Sequence, residues 1–138
     1  MSDSTEESQT TTSRATTRGI GVEVESRYVP ERSDPRHARW FFAYRIRITN
    51  EGTERAQLLS RHWIISDAHG RIEEVRGPGV VGEQPVLEPG EAFEYTSYCP
   101  LGTSFGSMRG TYRMVTANGD EFDAEIAPFA LAEPFAVN

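Results

Sequence analysis

A two-residue alternation governs residues 39–49, strict from Tyr44 to Thr49 and with large apolar side chains at every even position from Trp40, a spacing that no helix can accommodate. Trp40, Phe42, Tyr44, Ile46 and Ile48 share one parity, while Arg39, Arg45, Arg47 and Thr49 share the other. Successive side chains of a strand point to opposite faces, so this spacing makes one apolar and one charged face. A helix would scatter the same residues around its axis. Asn50, Glu51 and Gly52 then supply a turn. The same period appears earlier, where Val22 and Val24 alternate with Glu23 and Glu25 from Ile20 onward, and later, in residues 93–99 and 110–117. Residues 57–67 carry Leu58, Leu59, Trp63, Ile64 and Ile65 at less regular spacing. That suits a strand covered on both faces or one interrupted by a bulge.

Turn signals separate these segments at short intervals. Ala68, His69 and Gly70 turn the chain before a shorter strand at 71–75, and Asn118-Gly119 is the strongest hairpin signal, pairing 110–117 with 121–126. Residues 77–91, GPGVVGEQPVLEPGE, hold four glycines and three prolines and read mostly as loop. No window of twelve or more residues keeps a 3.6 period with caps. The expected fold is therefore all-β: an antiparallel β-sandwich of about seven strands, immunoglobulin- or fibronectin type III-like, with closure into a barrel as the alternative.

Composition limits the chemistry. All 14 basic residues are arginine, which excludes a lysine Schiff base and the lysine of a phosphate-binding P-loop. The single cysteine, Cys99, excludes an intrachain disulfide and a cysteine zinc site. With 138 residues the chain suits one domain, read as residues 19–138. Residues 1–18 are Ser, Thr, Glu, Gln and Arg with no large apolar side chain after Met1, and are expected to form a disordered tail. The longest apolar run is five residues, 40–44, and the N-terminal sequence lacks the pattern of a secretion signal. The expectation is a cytoplasmic protein with no membrane association. A net charge of −7 gives no general attraction to nucleic acid.

Several groupings invite a functional reading. Gly77, Gly79 and Gly82 match the GxGxxG spacing, and Arg76 beside them could meet an anion. In dinucleotide binders this motif opens a helix whose N-terminus faces the pyrophosphate, whereas here Pro85, Pro89 and Gly90 follow. A tight β-connection is the main expectation for the loop, and a phosphate cradle the alternative. His37, His62 and His69 lack the short spacing of a helical metal pair, so no metal ligand is assigned. Cys99 has no local partner that would stabilise a thiolate, and the carboxylate pairs Glu73/Glu74 and Glu91/Glu94 read as solvated faces. No catalytic residue and no cofactor is expected. Arg39, Arg45 and Arg47 fall on one strand face and could grip an acidic partner through their guanidinium forks, or pair with glutamates of adjacent strands.

Residues 57–101, with RHW, GPGVVGEQP and PGEAFEYTS, resemble the central signature of the ApaG family. So do residues 106–114, GSMRGTYRM, and 126–131, IAPFAL; Tyr98 stands where the family often has a small residue. The resemblance spans about residues 17–137 and implies a fibronectin type III-like β-sandwich. It also implies a genetic link to cobalt tolerance and magnesium efflux, and proximity to a diadenosine tetraphosphate hydrolase gene, with no established enzymatic activity. Related domains in F-box proteins and in a DNA-polymerase-interacting protein imply protein binding. The expected function is a non-catalytic protein-interaction module connected indirectly with cobalt and magnesium homeostasis. The alternatives are a nucleotide or polyphosphate sensor using Arg76, Gly77, Gly79 and Gly82, or a direct divalent-metal binder. A homodimer through an exposed strand edge is a further expectation.

Overall fold

The alternation in residues 40–49 is realised in a long central strand of one of two packed antiparallel sheets, in a computed structural model that describes residues 10–134. Nine strands follow in chain order: β1 (Thr10–Thr17), β2 (Ile20–Tyr28), β3 (Trp40–Asn50), β4 (Ala56–Asp67), β5 (Ile72–Pro78), β6 (Val86–Leu87), β7 (Ala92–Leu101), β8 (Phe105–Thr116) and β9 (Glu121–Ala132). The first sheet has the order β1-β2-β3-β7 and the second β5-β4-β8-β9, with β6 also pairing β4. The architecture is the expected all-β sandwich, not a continuous barrel. Its strand count exceeds seven because β1 and the two-residue β6 were not legible as strands. Two single 3₁₀ turns, Pro30–Arg32 and Pro35–His37, lie between β2 and β3. Among the described residues, no helix is long and apolar enough to cross a membrane.

The inward parity of each strand fills the space between the sheets. Ile20, Val22, Val24, Phe42, Tyr44, Ile46 and Ile48 come from the first sheet, and Leu58, Trp63, Tyr112, Met114, Ile126 and Leu131 from the second. The irregular spacing of residues 57–67 has its cause in a bulge: the register of β4 against β8 shifts between Leu58 and Ser60. One extra residue there lets Leu58 and Trp63 both be buried although their parities differ. Trp63 lies opposite Gly110 in β8, where a second shift separates Met108 from Gly110 along β9. A Cβ at Gly110 would stand 2.0 Å from the carbonyl oxygen of His62, so only glycine lets the two backbones approach this closely.

Asn50 is the main buried polar side chain at the other end of the sandwich. Its Nδ2 donates to the carbonyls of Glu54 and Leu87, at 2.8 and 2.9 Å, and its Oδ1 accepts from the amide of Gly52. Its backbone also bonds Gly90 and Glu91. The turn residue read from sequence thus ties three connections together, and burying its amide is tolerable because the group is hydrogen-bonded.

The expectation of a disordered tail through residue 18 is corrected at residues 10–17, which form β1 in register with β2 from Thr10↔Arg27 to Thr17↔Ile20. Residues 1–9, the remainder of that expected tail, lie outside the described residues. The strand buries no large side chain. Its half-buried parity instead carries hydroxyls that bond the edge of the other sheet. Thr11 Oγ1 donates to the carbonyl of Ala130 at 2.6 Å, Ser13 Oγ to that of Ala127 at 2.9 Å, and Thr17 Oγ1 accepts from the amide of Glu125 at 3.0 Å. Ser26 of β2 also donates to Ala130. The seam between β1 and β9 is thereby closed through side chains, and the exposed edge of β9 is covered.

Replacing Thr11 with Val and Ser13 with Ala together removes two of these bonds and should destabilise the domain by about 1–2 kcal/mol. Urea unfolding measures it; an unchanged midpoint would make the seam dispensable. Gly110→Ala is expected to cost about 1–3 kcal/mol by forcing β4 and β8 apart, read in the same assay, whereas a neutral substitution would contradict the close approach.

Candidate functional site

The glycine-rich segment proves to be a detour in an edge strand. β5 and β6 both pair with the same side of β4, and residues 79–85 bulge out between them. Val80 and Glu83 exchange two backbone bonds, 2.8 and 2.9 Å, around Val81 and Gly82, whose φ values are +43° and +80°. Positive φ at both central positions is the signature of a type I′ hairpin turn. Gly79 donates its amide to the carbonyl of Leu59, as does the Gln84 side chain, and Leu58 donates to Pro85. Underneath, Arg61 Nη1 donates to the carbonyls of Pro78 and Gly79, at 3.0 and 2.9 Å.

Each motif glycine therefore has a separate structural task. A Cβ at Gly77 would meet the Arg61 guanidinium at 2.9 Å, and one at Gly79 would meet the Glu83 carbonyl at 2.3 Å. Gly82 occupies the second corner of the turn in open space. A strand follows rather than a helix, and the amides of Gly79, Val80 and Glu83 are spent within the loop or on β4. The geometry is that of a tight β-connection, closed by the paired backbone bonds of Val80 and Glu83. Arg76 projects nearby, exposed, with its guanidinium 3.4 Å from Glu74, which also bonds His62 at 2.7 Å. The hydrogen bond with His62 is the largest cause holding the Glu74 carboxyl below its ordinary value, and the Arg76 guanidinium adds to it.

The arginines assigned together on β3 separate into two groups. Arg45 and Arg47 both reach across to Glu94 of β7, Arg45 at 2.6 Å, and their guanidinium bonds lower the Glu94 pKa. The registers Arg14↔Glu23, Glu23↔Arg47 and Arg47↔Glu94 make a ladder of alternating charge across the outer face of the first sheet. Pairing with neighbouring glutamates is thus what this face does. Arg39 stands before β3, bridged through its backbone to Asp34, and among the described residues its side chain has no carboxylate partner.

Cys99, Tyr95 and Tyr112 are largely buried, His37 and His62 are paired with carboxylates, and His69 is exposed in its turn. Tyr95 and Tyr112 share a 2.5 Å hydroxyl bond between the sheets, and burial raises the pKa of both. His37 bonds Asp34, and among the described residues no group of three or more His, Cys, Asp or Glu is placed to hold a metal ion. Cys99 faces inward, and burial pushes its thiol up to about 12 with a further contribution from Glu73.

Two surface features escaped the sequence reading. Ile72, Val81 and Val86 are exposed along the β5–β6 edge, at 61%, 58% and 46%. On the first sheet, the Phe41 and Tyr98 rings stack at 5.5 Å beneath the guanidinium of Arg32. Proximity between Phe41 and Tyr98 comes from the β3–β7 register, which no local pattern reveals.

Burial keeps Cys99 in its unreactive thiol form, whereas the unfolded chain exposes it near the ordinary cysteine pKa. Iodoacetamide should alkylate it far more slowly in the folded protein than in concentrated urea, as followed by mass spectrometry. Equal rates would place the thiol at the surface.

Comparison with known proteins agrees with this architecture. The family model for the ApaG domain matches residues 30–116. Protein ApaG of Anaeromyxobacter dehalogenans is 60% identical over 126 residues, covering 91% of this chain and 99% of that one. Protein ApaG of Methylobacterium radiotolerans is 58% identical over 121 residues, covering 88% and 93%. A crystal structure of an ApaA protein from Bordetella pertussis superposes with a TM-score of 0.82 at 57% identity, over 85% of this chain and 95% of that one. On sequence and fold alike, the chain belongs to the ApaG family.

Proposed function

We propose that this ApaG domain is a non-catalytic protein-interaction module that receives a partner along the β5–β6 edge of its second sheet. The observation that carries this reading is the line of exposed apolar side chains there, Ile72 at the start of β5, Val81 at the hairpin tip and Val86 in β6. Scattered apolar residues on a surface are ordinary; these three are spread along one edge, Ile72 beside Ser66 and Val86 beside Gln57 near its two ends, with Val81 on the turn between β5 and β6. The edge itself adds directional bonds, because among the described residues β5 pairs with no strand but β4, which leaves its other row of backbone groups for an incoming strand.

Val81 strengthens the reading. A β-branched residue at positive φ costs about 1–3 kcal/mol, and such strain persists where the surroundings hold it in place. Here the Val80–Glu83 bonds and the Arg61 clamp do so, presenting an apolar side chain outward on a rigid turn. The opposite edge of the second sheet is covered by the β1 hydroxyls, so the fold distinguishes a closed side from an open one. The connection to cobalt and magnesium homeostasis implied by the family then runs through the partner rather than through metal held by this chain.

Affinity capture from the native cytosol, with the wild-type chain beside an Ile72→Arg/Val86→Arg variant, tests this. A reproducible partner retained by the first and lost by the second is expected. Absence of any reproducible partner, or equal capture by both, would sink the reading. Sedimentation of the wild type over a concentration series shows whether the partner on this edge is a second copy.

A further inference from the structure

We infer that the end of the sandwich formed by residues 27–41 and Tyr98 is a docking surface for an acidic polypeptide segment. It lies on the first sheet, apart from the β5–β6 edge, and does not depend on the function proposed for that edge. The inference begins from how the arginines are used. Arg14, Arg45, Arg47, Arg55, Arg76 and Arg113 each stand within 4.0 Å of a carboxylate. Among the described residues the other eight do not, and four of those eight, Arg27, Arg32, Arg36 and Arg39, lie close together in the chain, whereas Arg18, Arg61, Arg71 and Arg109 are dispersed. In a chain with 21 acidic and 14 basic residues, four unpaired guanidiniums within thirteen positions are a local excess of positive charge. Only Glu31 and Asp34 lie between them, and Asp34 already bonds His37 at 2.7 Å.

The surface is held ready rather than loosely attached. Pro30 and Pro35 open two successive 3₁₀ turns, whose φ they fix. Ser33 Oγ donates to the Val29 carbonyl and accepts from the Phe41 amide, both at 2.8 Å, while Val29 N donates back to Phe41 O. Asp34 and Arg39 close the second turn through paired backbone bonds, and Ala38 turns the chain at a φ of +57°. Arg32 is laid over two rings, 4.5 Å from the centre of Phe41 and 5.2 Å from that of Tyr98. Such stacking orients a guanidinium while leaving its edge donors free for a carboxylate. Tyr98 remains 49% exposed, and Arg27 follows it on the same outer row across Ala43.

The chemistry selects the occupant. Arginine forks take carboxylates in a bidentate manner, and arginine with tyrosine is the composition of energetically dominant interface residues. Single-stranded nucleic acid fits less well. Its bases need open aromatic faces, and here Arg32 already lies over both rings.

Fluorescence anisotropy with a labelled decaglutamate peptide tests the inference, with decalysine and a ten-residue oligothymidylate as comparison probes. Decaglutamate should bind the wild type, more weakly as salt rises, and lose about tenfold or more in affinity with Arg36→Glu/Arg39→Glu. Both side chains are exposed, so circular dichroism should report an unchanged fold. Tyr98→Ser should weaken binding, and Arg113→Glu, on the other sheet, should not. No saturable decaglutamate binding, equal binding by the Arg36→Glu/Arg39→Glu variant, or tighter binding of oligothymidylate would overturn it. Because Ile72 and Val86 are untouched in these proteins, failure here leaves the edge reading standing, and failure of the edge reading leaves this one standing.

Discussion

Trp63 is the contact on which the two sheets depend. Its ring lies 5.3 Å from Tyr44 of the first sheet, 6.2 Å from Tyr112 and 6.0 Å from Phe129, each edge-on. Edge-to-face pairs of this kind contribute about 0.5–1.5 kcal/mol each beyond the apolar area they bury. More important is what must be true for the indole to point inward. β4 must spend an extra residue at its bulge, and β8 must offer a residue without a side chain at Gly110. The bulge that buries Trp63 also places Arg61 on the same parity. Arg61 then fixes the carbonyls of Pro78 and Gly79 and, with them, the hairpin that carries Val81. The shape of the exposed edge thus follows from the packing of one buried aromatic.

The two faces of the molecule use charge differently. On the first sheet the glutamates of β2 and β7 interleave with Arg14, Arg45 and Arg47, so charge is balanced within the sheet. Exposed ion pairs of this type contribute little to stability, but a ladder of alternating sign disfavours register slips and keeps the surface soluble. Past its end the alternation stops: among the described residues Arg27, Arg32, Arg36 and Arg39 have no matching carboxylates. With an all-arginine complement, every one of these groups presents a planar guanidinium fork.

Much of the fold was legible in single segments. The alternation from Trp40 to Ile48 named the central strand and its buried face, and the irregular spacing of residues 57–67 anticipated the bulge. The N-terminal strand was not legible, because burial was sought in large apolar side chains. Thr11, Ser13 and Thr17 are ordered by a ladder with β2 and by hydroxyl bonds to β9, more than a hundred residues away. The glycine motif was half legible: positive φ at Gly79 and Gly82 matches a tight connection, whereas the need for glycine at Gly77 arises from Arg61, sixteen positions earlier and on another strand.

By itself the sequence determined the all-β class, the faces of its long strands, the chief turns and the ApaG membership, because alternation and turn chemistry are set by neighbouring residues. Tertiary structure decided which charges remain available. Arg39, Arg45 and Arg47 look equivalent along the chain, yet the β3–β7 register brings Glu94 to two of them, while the turn closed at Asp34 and Arg39 leaves the third without a carboxylate partner among the described residues. It likewise decided that Phe41 meets Tyr98 under Arg32, since residues 57 positions apart become neighbours only when strands pair. Local pattern fixes which way a side chain points; register fixes what it finds there.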